Sequence, residues 1–413
     1  MQEISIQKKS ISELIQADTS ISNMYTYISN NYKLRKNIVT GNIENESVKI
    51  NNVFQIIDDA EINSMYINMS AIFNKKEGRV SKELITNYIF SNHIEIYDPF
   101  KDFIQQNKNV NRTQELIEEL AACIDTNTHD AFKYIKHWGC GMIASIFGSQ
   151  SPLTLVLAGE KLNTGKTEFF RRLLPDELKI YYAESALDSG NKDDDILMCK
   201  KLVIMNDEFG GKNRHDQKKF KGLTSKQSMS IRVPYGRTTT EMRRICSLCG
   251  TSNELELLSD PYGNRRILPI NVLGIDHARY NAIDKTGLFM ALYDLYTTGF
   301  HWKLKQEDIE QLNKDTDHFQ STNFESELIN KYLEIPNSEW DLMTNTEIKI
   351  YLEFESKQKI TNVVKLGVEL KNLGFTQTVK KVGKSTHRLY NVRKKNEPKL
   401  HTSVDSYTQV TPF

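Results

Sequence analysis

The chain has 413 residues, 39% hydrophobic and 26% charged, and its 54 basic residues nearly balance 53 acidic ones for a net charge of +1. That length calls for two or three domains, and near-neutrality averages over all of them. No apolar run approaches the roughly eighteen residues that cross a bilayer, and Met1–Ser22 lacks a signal-peptide pattern, so a cytoplasmic protein with no membrane partner is expected.

Residues 1–130 are polar, rich in Asn and Ile and broken by turn signals, without internal repeats. They are expected to form an α+β accessory and oligomerisation region whose first 22 residues are a mobile arm. Tyr32–Glu44 predicts two short strands around the Thr40-Gly41 turn, and Val80–Asn92 and Arg112–Cys123 have helical spacing.

Residues 131–310 carry a different pattern. Phe132, Ile135, Trp138, Met142 and Ile146 recur at spacings of three and four, which predicts a helix over Ala131–Phe147 with one buried face. Leu153–Ala158 is a nearly continuous apolar run, as in a central parallel strand. A Gly-containing loop follows, then a helix from Lys166 to Leu174 that Pro175 should stop. Further strands are expected at Leu202–Met205, Ile245–Cys249 and Arg266–Val272, and their alternation with helices argues a doubly wound α/β domain.

Residues 311–343 read as a helical connection, 344–395 as a basic module and 396–413 as a polar tail. Thr344–Phe354 is a helix opened by a Thr344/Glu347 capping box. Asn362–Leu373 is a second helix, stopped by Gly374. Thr376–Asn391 has period-two character around Gly383-Lys384. Two helices and a two-stranded wing make a winged-helix domain. Between Lys357 and Lys399 there are twelve Lys or Arg against two acidic residues, Glu369 and Glu397, so a polyanion is the natural partner. Lys371, Lys380, Lys381, Lys384 and Arg388 are candidates for duplex contact; a solvated basic face or protein-contact wing is the competing reading.

The chemistry concentrates between Gly159 and Arg266. Gly159-Glu-Lys-Leu-Asn163-Thr164-Gly165-Lys166-Thr167 reads as a phosphate cradle at a helix N-terminus. Its small residues let backbone N–H groups face a β-phosphate, Lys166 adds a point charge and the Thr167 hydroxyl reaches Mg²⁺. The two glycines are separated by one residue more than usual, with Glu160 in the place of the first Gly. The apolar strand Leu202–Met205 runs into Asp207-Glu208. At such a strand end the first acid holds Mg²⁺ through water and the second polarises the attacking water. Asn253, at the end of the next strand, is placed to sense a γ-phosphate. Arg265-Arg266 precedes the last strand, where one guanidinium can reach a neighbouring subunit's nucleotide. ATP and Mg²⁺ are thus the expected cofactors.

Other residues read as structural. Asp193-Asp194-Asp195 sits where acids open a helix. The nine histidines show no paired-ligand spacing. Cys246 and Cys249 lack a partner pair and lie in an apolar run, and the remaining cysteines, Cys123, Cys140 and Cys199, form no disulfide framework.

The order of Asn163–Thr167, Asp207-Glu208, Asn253 and Arg265-Arg266 resembles the superfamily 3 helicase branch of AAA+ ATPases. More narrowly, Arg232-Val-Pro-Tyr-Gly-Arg237, Gly250-Thr-Ser-Asn253 and Gly263-Asn-Arg-Arg266 resemble the virulence-associated E-like ATPases of phages and mobile elements, over about residues 30 to 300. The resemblance implies a P-loop AAA+ domain in a homo-oligomeric ring, usually a hexamer. Arg265 or Arg266 would act on the adjacent subunit's ATP, and a hairpin within Lys221–Arg244 would project into the pore. Its basic residues Lys221, Lys226, Arg232 and Arg237, with Tyr235 beside them, would contact single-stranded DNA. The function expected is an ATP-dependent DNA helicase or translocase acting in replication of a phage or mobile element. A non-translocating ATPase switch in phage interference or regulation is the alternative. A P-loop small-molecule kinase ranks last, because it needs no strand-end Asn followed by paired arginines. No zinc module or acid cluster for nucleotidyl transfer is recognisable, so any priming is expected from a separate primase.

Overall fold

The computed structural model describes residues 18–47, 53–73, 78–188, 191–209, 220, 222–231, 239–255, 257–258, 264–316, 319, 324–336, 341–360, 362–382 and 385–395. They form two compact units. One takes the described residues from 18 to 255 and from 264 to 315, the other those at 257–258 and from 316 onward.

At the start of the first unit, the Asp18 carboxylate accepts from the backbone N–H of Ser20 and Ile21 at 2.7 and 3.2 Å and so caps a helix over Thr19–Asn31. Residues 18–22, expected in a mobile arm, therefore begin a helix, because Met24 and Ile28 one and two turns on have a core to enter. Strands β1 (Leu34–Asn37) and β2 (Ile43–Ser47) pair antiparallel across the expected turn, where Gly41 has φ +73°. β3 (Val53–Ile56) joins β2, and β4 (Glu95–Tyr97) adds to β1 in parallel, giving the order β3-β2-β1-β4. Helices Asp59–Ile72 and Lys82–Ile89 contribute Ile62, Met65, Met69, Ile85 and Ile89 to the local core. Buried Asn37 donates to Glu44 and to the Tyr181 hydroxyl, both at 2.8 Å, which fixes this sheet to the segment that leads into the main one.

The main sheet contains β5 (Ile124–Thr126), β6 (Thr154–Ala158), β7 (Tyr182–Glu184), β8 (Val203–Asn206), β11 (Ser247–Ser252) and β12 (Ile267–Ile275) in the order β5-β12-β6-β11-β8-β7. Every pair is parallel except β5 with β12. All five residues of β6 are buried, as a central parallel strand covered on both faces requires. Helix Ala131–Ile146 does not bury a single face as expected. Only Phe132, Lys133 and Lys136 escape burial, because the helix lies between β6 and β11 on one side and helix Lys285–Thr297 on the other. Trp138 Nε1 donates to Leu248 O at 2.7 Å and ties the helix to β11.

Three expected boundaries move. The helix after the Gly159–Thr167 loop ends at Arg171, where Leu173 N–H turns to Phe170 O, and Pro175 instead precedes a 3₁₀ turn over Asp176–Tyr181. β11 begins at Ser247 because Ile245 and Cys246 donate to Met198 O, and it runs on to Ser252 in register with Ala158. β12 extends to Ile275 because its end pairs with β5 through an irregularity between Val272 and Gly274. Between β8 and β11, β9 (Ser228–Ile231) and β10 (Thr240–Arg243) form an antiparallel pair.

In the second unit, helices Phe324–Tyr332, Asn345–Ser356 and Val363–Asn372 pack against β13 (Leu333–Glu334), β14 (Asp341–Thr344), β15 (Gln377–Val382) and β16 (Ser385–Lys394). Ile329, Ile348, Leu352, Leu366, Leu370, Tyr390 and Val392 are its core. The Thr344/Glu347 capping box forms, and Gly374 at φ +87° follows the Val363–Asn372 helix. Three of the twelve basic residues of the expected positive field are paired locally: Lys365 with Glu325, Arg393 with Glu334 at 2.9 Å and Lys394 with Asp341 at 3.8 Å. Among the described residues no helix is long and apolar enough to cross a membrane.

Candidate functional site

Parallel strands deliver their carboxyl ends to one edge of the sheet, which is where open α/β sheets bind ligands. Here β6 ends at Ala158 and leads into Gly159, β8 runs into Asp207-Glu208 and β11 ends beside Asn253. Gly159 N–H donates to Ser252 O at 3.1 Å, so the loop leaves the sheet already fastened to β11. A Cβ at Gly159 would lie 2.4 Å from Val272 O of β12, which accounts for glycine there despite the lengthened loop.

The loop closes around its lysine. Lys166 is 6% exposed and its Nζ donates to Gly159 O at 2.8 Å and Lys161 O at 3.1 Å. Burial lowers its pKa, and the nearby Asp207 charge opposes that shift. Asn163 and Gly165 both have positive φ, +56° and +84°, and Gly165 caps the following helix in the left-handed region. The Thr164 hydroxyl is buried without a hydrogen-bond partner. A buried unpaired hydroxyl is costly unless a ligand answers it. Exposed His277, one residue beyond the Asp276 cap, lies so close that a Cβ on Gly165 would be 2.0 Å from its Cε1.

Asp207 stands across from this helix start. Its Oδ1 accepts from Thr167 Oγ1 at 3.4 Å and, in a short contact, from Thr251 Oγ1. Glu208 is exposed and held at φ +58°; such outliers concentrate at functional sites. Phe209 N–H donates to Thr251 O at 2.6 Å and ties the chain after the two carboxylates to β11. Asn253 lies just past β11 and is exposed. Thr251 and His277 are the neighbours that sequence reasoning missed. Thr251 precedes Asn253 by two, the spacing of one strand face, so its side was legible; nothing local to His277 signals its proximity to Gly165.

Arg265 and Arg266 sit at the opposite edge. Ile267 pairs with Thr154 at the amino end of β6, whereas Asn271 pairs with Ala158 at the carboxyl end. Arg266 donates to Thr224 Oγ1 at 3.1 Å and Ser225 Oγ at 3.0 Å. Arg265 is exposed and lines a cleft of about 400 Å³ with Gln150, Leu153, Lys226, Gln227 and Lys303. Lys226 is held by Asp195 at 2.9 and 3.2 Å. Of the three clustered acids, Asp195 thus pairs across to Lys226 while the Asn191 side chain supplies the helix cap. The predicted residues therefore fall into two groups: Gly159, Asn163–Thr167, Asp207 and Glu208 at the carboxyl edge with Asn253 beside them, and Lys226, Arg265 and Arg266 at the amino edge.

Lys221, Arg232, Arg237 and Lys384 lie outside the described residues. Lys380 and Lys381 are on β15, their side chains undescribed, and Lys371 and Arg388 are exposed. All five cysteines are buried and unbridged; among the described residues no three His, Cys, Asp or Glu side chains are grouped to hold a metal.

Fold and site define a mixed α/β protein whose largely parallel sheet gathers a buried lysine, hydroxyls and carboxylates at its carboxyl edge. Residues 102–321, more than half of the chain, match the Virulence-associated protein E-like domain. The chain belongs to the virulence-associated protein E-like family. No curated protein matches it. The apo structure of the NrS-1 C terminal region is similar at 13% identity with a TM-score of 0.46, covering 91% of this chain and 99% of that one. The A form apo structure of the same region gives 14% identity and a TM-score of 0.47, covering 91% and 100%. Identity this low carries no residue from one chain to the other.

Proposed function

We propose that the chain is a P-loop ATPase of the superfamily 3 AAA+ type, working as a homo-oligomeric ring that moves single-stranded DNA in replication of a phage or mobile element. The observation that carries this reading is the cluster at the carboxyl edge: a buried lysine turned onto its own loop carbonyls, an orphan Thr164 hydroxyl, and Thr167 facing Asp207.

These residues fit ATP and Mg²⁺. The Asn163–Thr167 backbone and Lys166 would hold the phosphates, exchanging two carbonyl acceptors for phosphate oxygens. Mg²⁺ keeps several waters and needs few protein ligands; Thr167 and Asp207 would hold it, and its charge offsets that of the phosphates. Asp207 is steadied by Thr251, and Glu208, carried outward by its left-handed backbone, is the group to accept a proton from water. Asn253 would orient that water.

The sheet's geometry supports assembly. Five residues of β6 at about 3.3 Å each separate the arginine pair from the phosphate loop. One copy's Arg265 and Arg266 therefore serve another copy's nucleotide, which is head-to-tail association. In this reading residues 1–130 are the accessory region, 131–310 the AAA+ domain, 311–343 a connection and 344–395 a winged helix that binds duplex DNA through residues such as Lys371 and Arg388. Steady-state ATP hydrolysis with and without single-stranded DNA, with Lys166→Ala as control and the assembly sized in the presence of ATP, tests it. Stimulation of an oligomer, abolished by the substitution, is expected. Hydrolysis indifferent to DNA would sink the motor and leave a nucleotide-driven switch.

A further inference from the structure

Arg244 leaves β10 and is completely buried. Among the described residues its guanidinium meets only neutral acceptors. Nε donates to Cys246 O at 3.2 Å and to Cys246 Sγ at 3.3 Å, Nη1 to Leu223 O at 3.2 Å and Thr224 O at 2.9 Å, and Nη2 to Ser151 O at 3.2 Å. No described carboxylate pairs with it. A buried cation answered by dipoles alone is costly, and such a group persists where its donors find acceptors and the surroundings are built around it.

The segments it joins border the amino-edge cleft on two sides. Ser151 lies in the wall that holds Gln150 and Leu153. Leu223 and Thr224 begin the facing wall, whose Thr224 and Ser225 hydroxyls grip Arg266. Arg244 also closes the β9–β10 hairpin at its base, where its N–H donates to Gln227 O at 2.9 Å. Only a forked, planar group reaches both walls at once; a lysine ammonium reaches one.

We infer that Arg244 is a positioning residue that clamps the β9–β10 hairpin to both walls of the cleft, so that displacement of the hairpin is passed through Thr224 and Ser225 to Arg266. The inference rests on the proposed roles of the hairpin in contacting DNA and of the arginine pair in acting on a neighbour's nucleotide. It supplies the route by which the two sites communicate.

The test combines amide hydrogen exchange with ATP hydrolysis in the full chain, using Arg244→Lys. Exchange at 222–231 and at 264–268 should accelerate together by about tenfold or more, with 159–167 unchanged. Stimulation of hydrolysis by single-stranded DNA should fall about fivefold or more while ATP affinity stays within about twofold. Acceleration confined to 222–231, or full stimulation in the variant, overturns the clamp. Should Arg244→Lys unfold, Thr224→Val with Ser225→Ala removes both hydroxyls from Arg266 and the Thr224 hydroxyl from Phe220 O: stimulation should be lost with exchange at 228–231 unchanged, and retained stimulation overturns the proposal. A wild-type protein indifferent to DNA would refute the motor reading instead, and the exchange result would still decide the clamp.

Discussion

If the arginine pair acts between copies, two inactive proteins should restore one another. Take Lys166→Ala, which keeps the arginines but loses the phosphate contact, and Arg265→Ala with Arg266→Ala, which does the reverse. Alone, the second should hydrolyse ATP about 10³-fold or more slowly, the scale of an arginine finger. The structure sets the expectation for the mixture. Arg266 stands beside the amino end of β6 and Gly159 follows its carboxyl end, so under the proposed assembly every productive site would need the loop of one copy and the arginines of the next. In an equal random mixture, about a quarter of head-to-tail interfaces combine an intact loop with intact arginines, giving about a quarter of the wild-type rate. Phosphate release, measured after the two proteins are mixed and allowed to exchange subunits, reads this directly. A mixture no faster than the sum of its parts, with exchange verified, would refute the argument. So would a double arginine variant as fast as wild type.

Four further outcomes follow from particular contacts. Gly165→Ala forces a side chain into the left-handed region, at about 1–2 kcal/mol, and against His277; nucleotide affinity should fall about tenfold by fluorescent-nucleotide titration, and adding His277→Ala should recover part of it. Thr251→Val removes a hydroxyl donor from Asp207; the maximal hydrolysis rate should drop about tenfold or more with ATP affinity little changed, and an unaltered rate would remove Thr251 from the site. Trp138→Phe leaves Leu248 O without its indole donor and should cost about 2–4 kcal/mol in denaturant unfolding. Burial lowers the Lys285 pKa from 10.5 to about 8. Its folded value lies below its unfolded one, so the unfolded state binds more protons between them and the Lys285 contribution to stability rises with pH from about 8 towards 10.5. A lysine-resolved NMR titration with a midpoint above 10 would contradict this.

The periodicities of the chain determined its elements. The apolar run at Leu153–Ala158, the Gly-Lys-Thr that follows, the Thr344/Glu347 box and the Gly374 stop are local signals, because a strand buried on both faces, a helix start and a helix end are each specified within a few residues. The meeting of these residues at the carboxyl edge was legible for the same reason: a parallel sheet sends all its strand ends one way, so motifs that each follow a strand must meet. What the sequence could not supply is distance across the fold. That Thr251 donates to Asp207, that His277 lies against Gly165, that Asp195 occupies Lys226 and that Asn37 reaches Tyr181 are contacts between residues far apart in the chain. Helix Ala131–Ile146 shows why. Its spacing displayed one apolar face, yet the helix is buried nearly all round, because burial is decided by what packs on either side. Arg244 makes the point most sharply: in the sequence it is one basic residue in a run of polar ones, and only the meeting of Ser151, Leu223, Thr224 and Cys246 carbonyls around it makes a fully buried cation tenable.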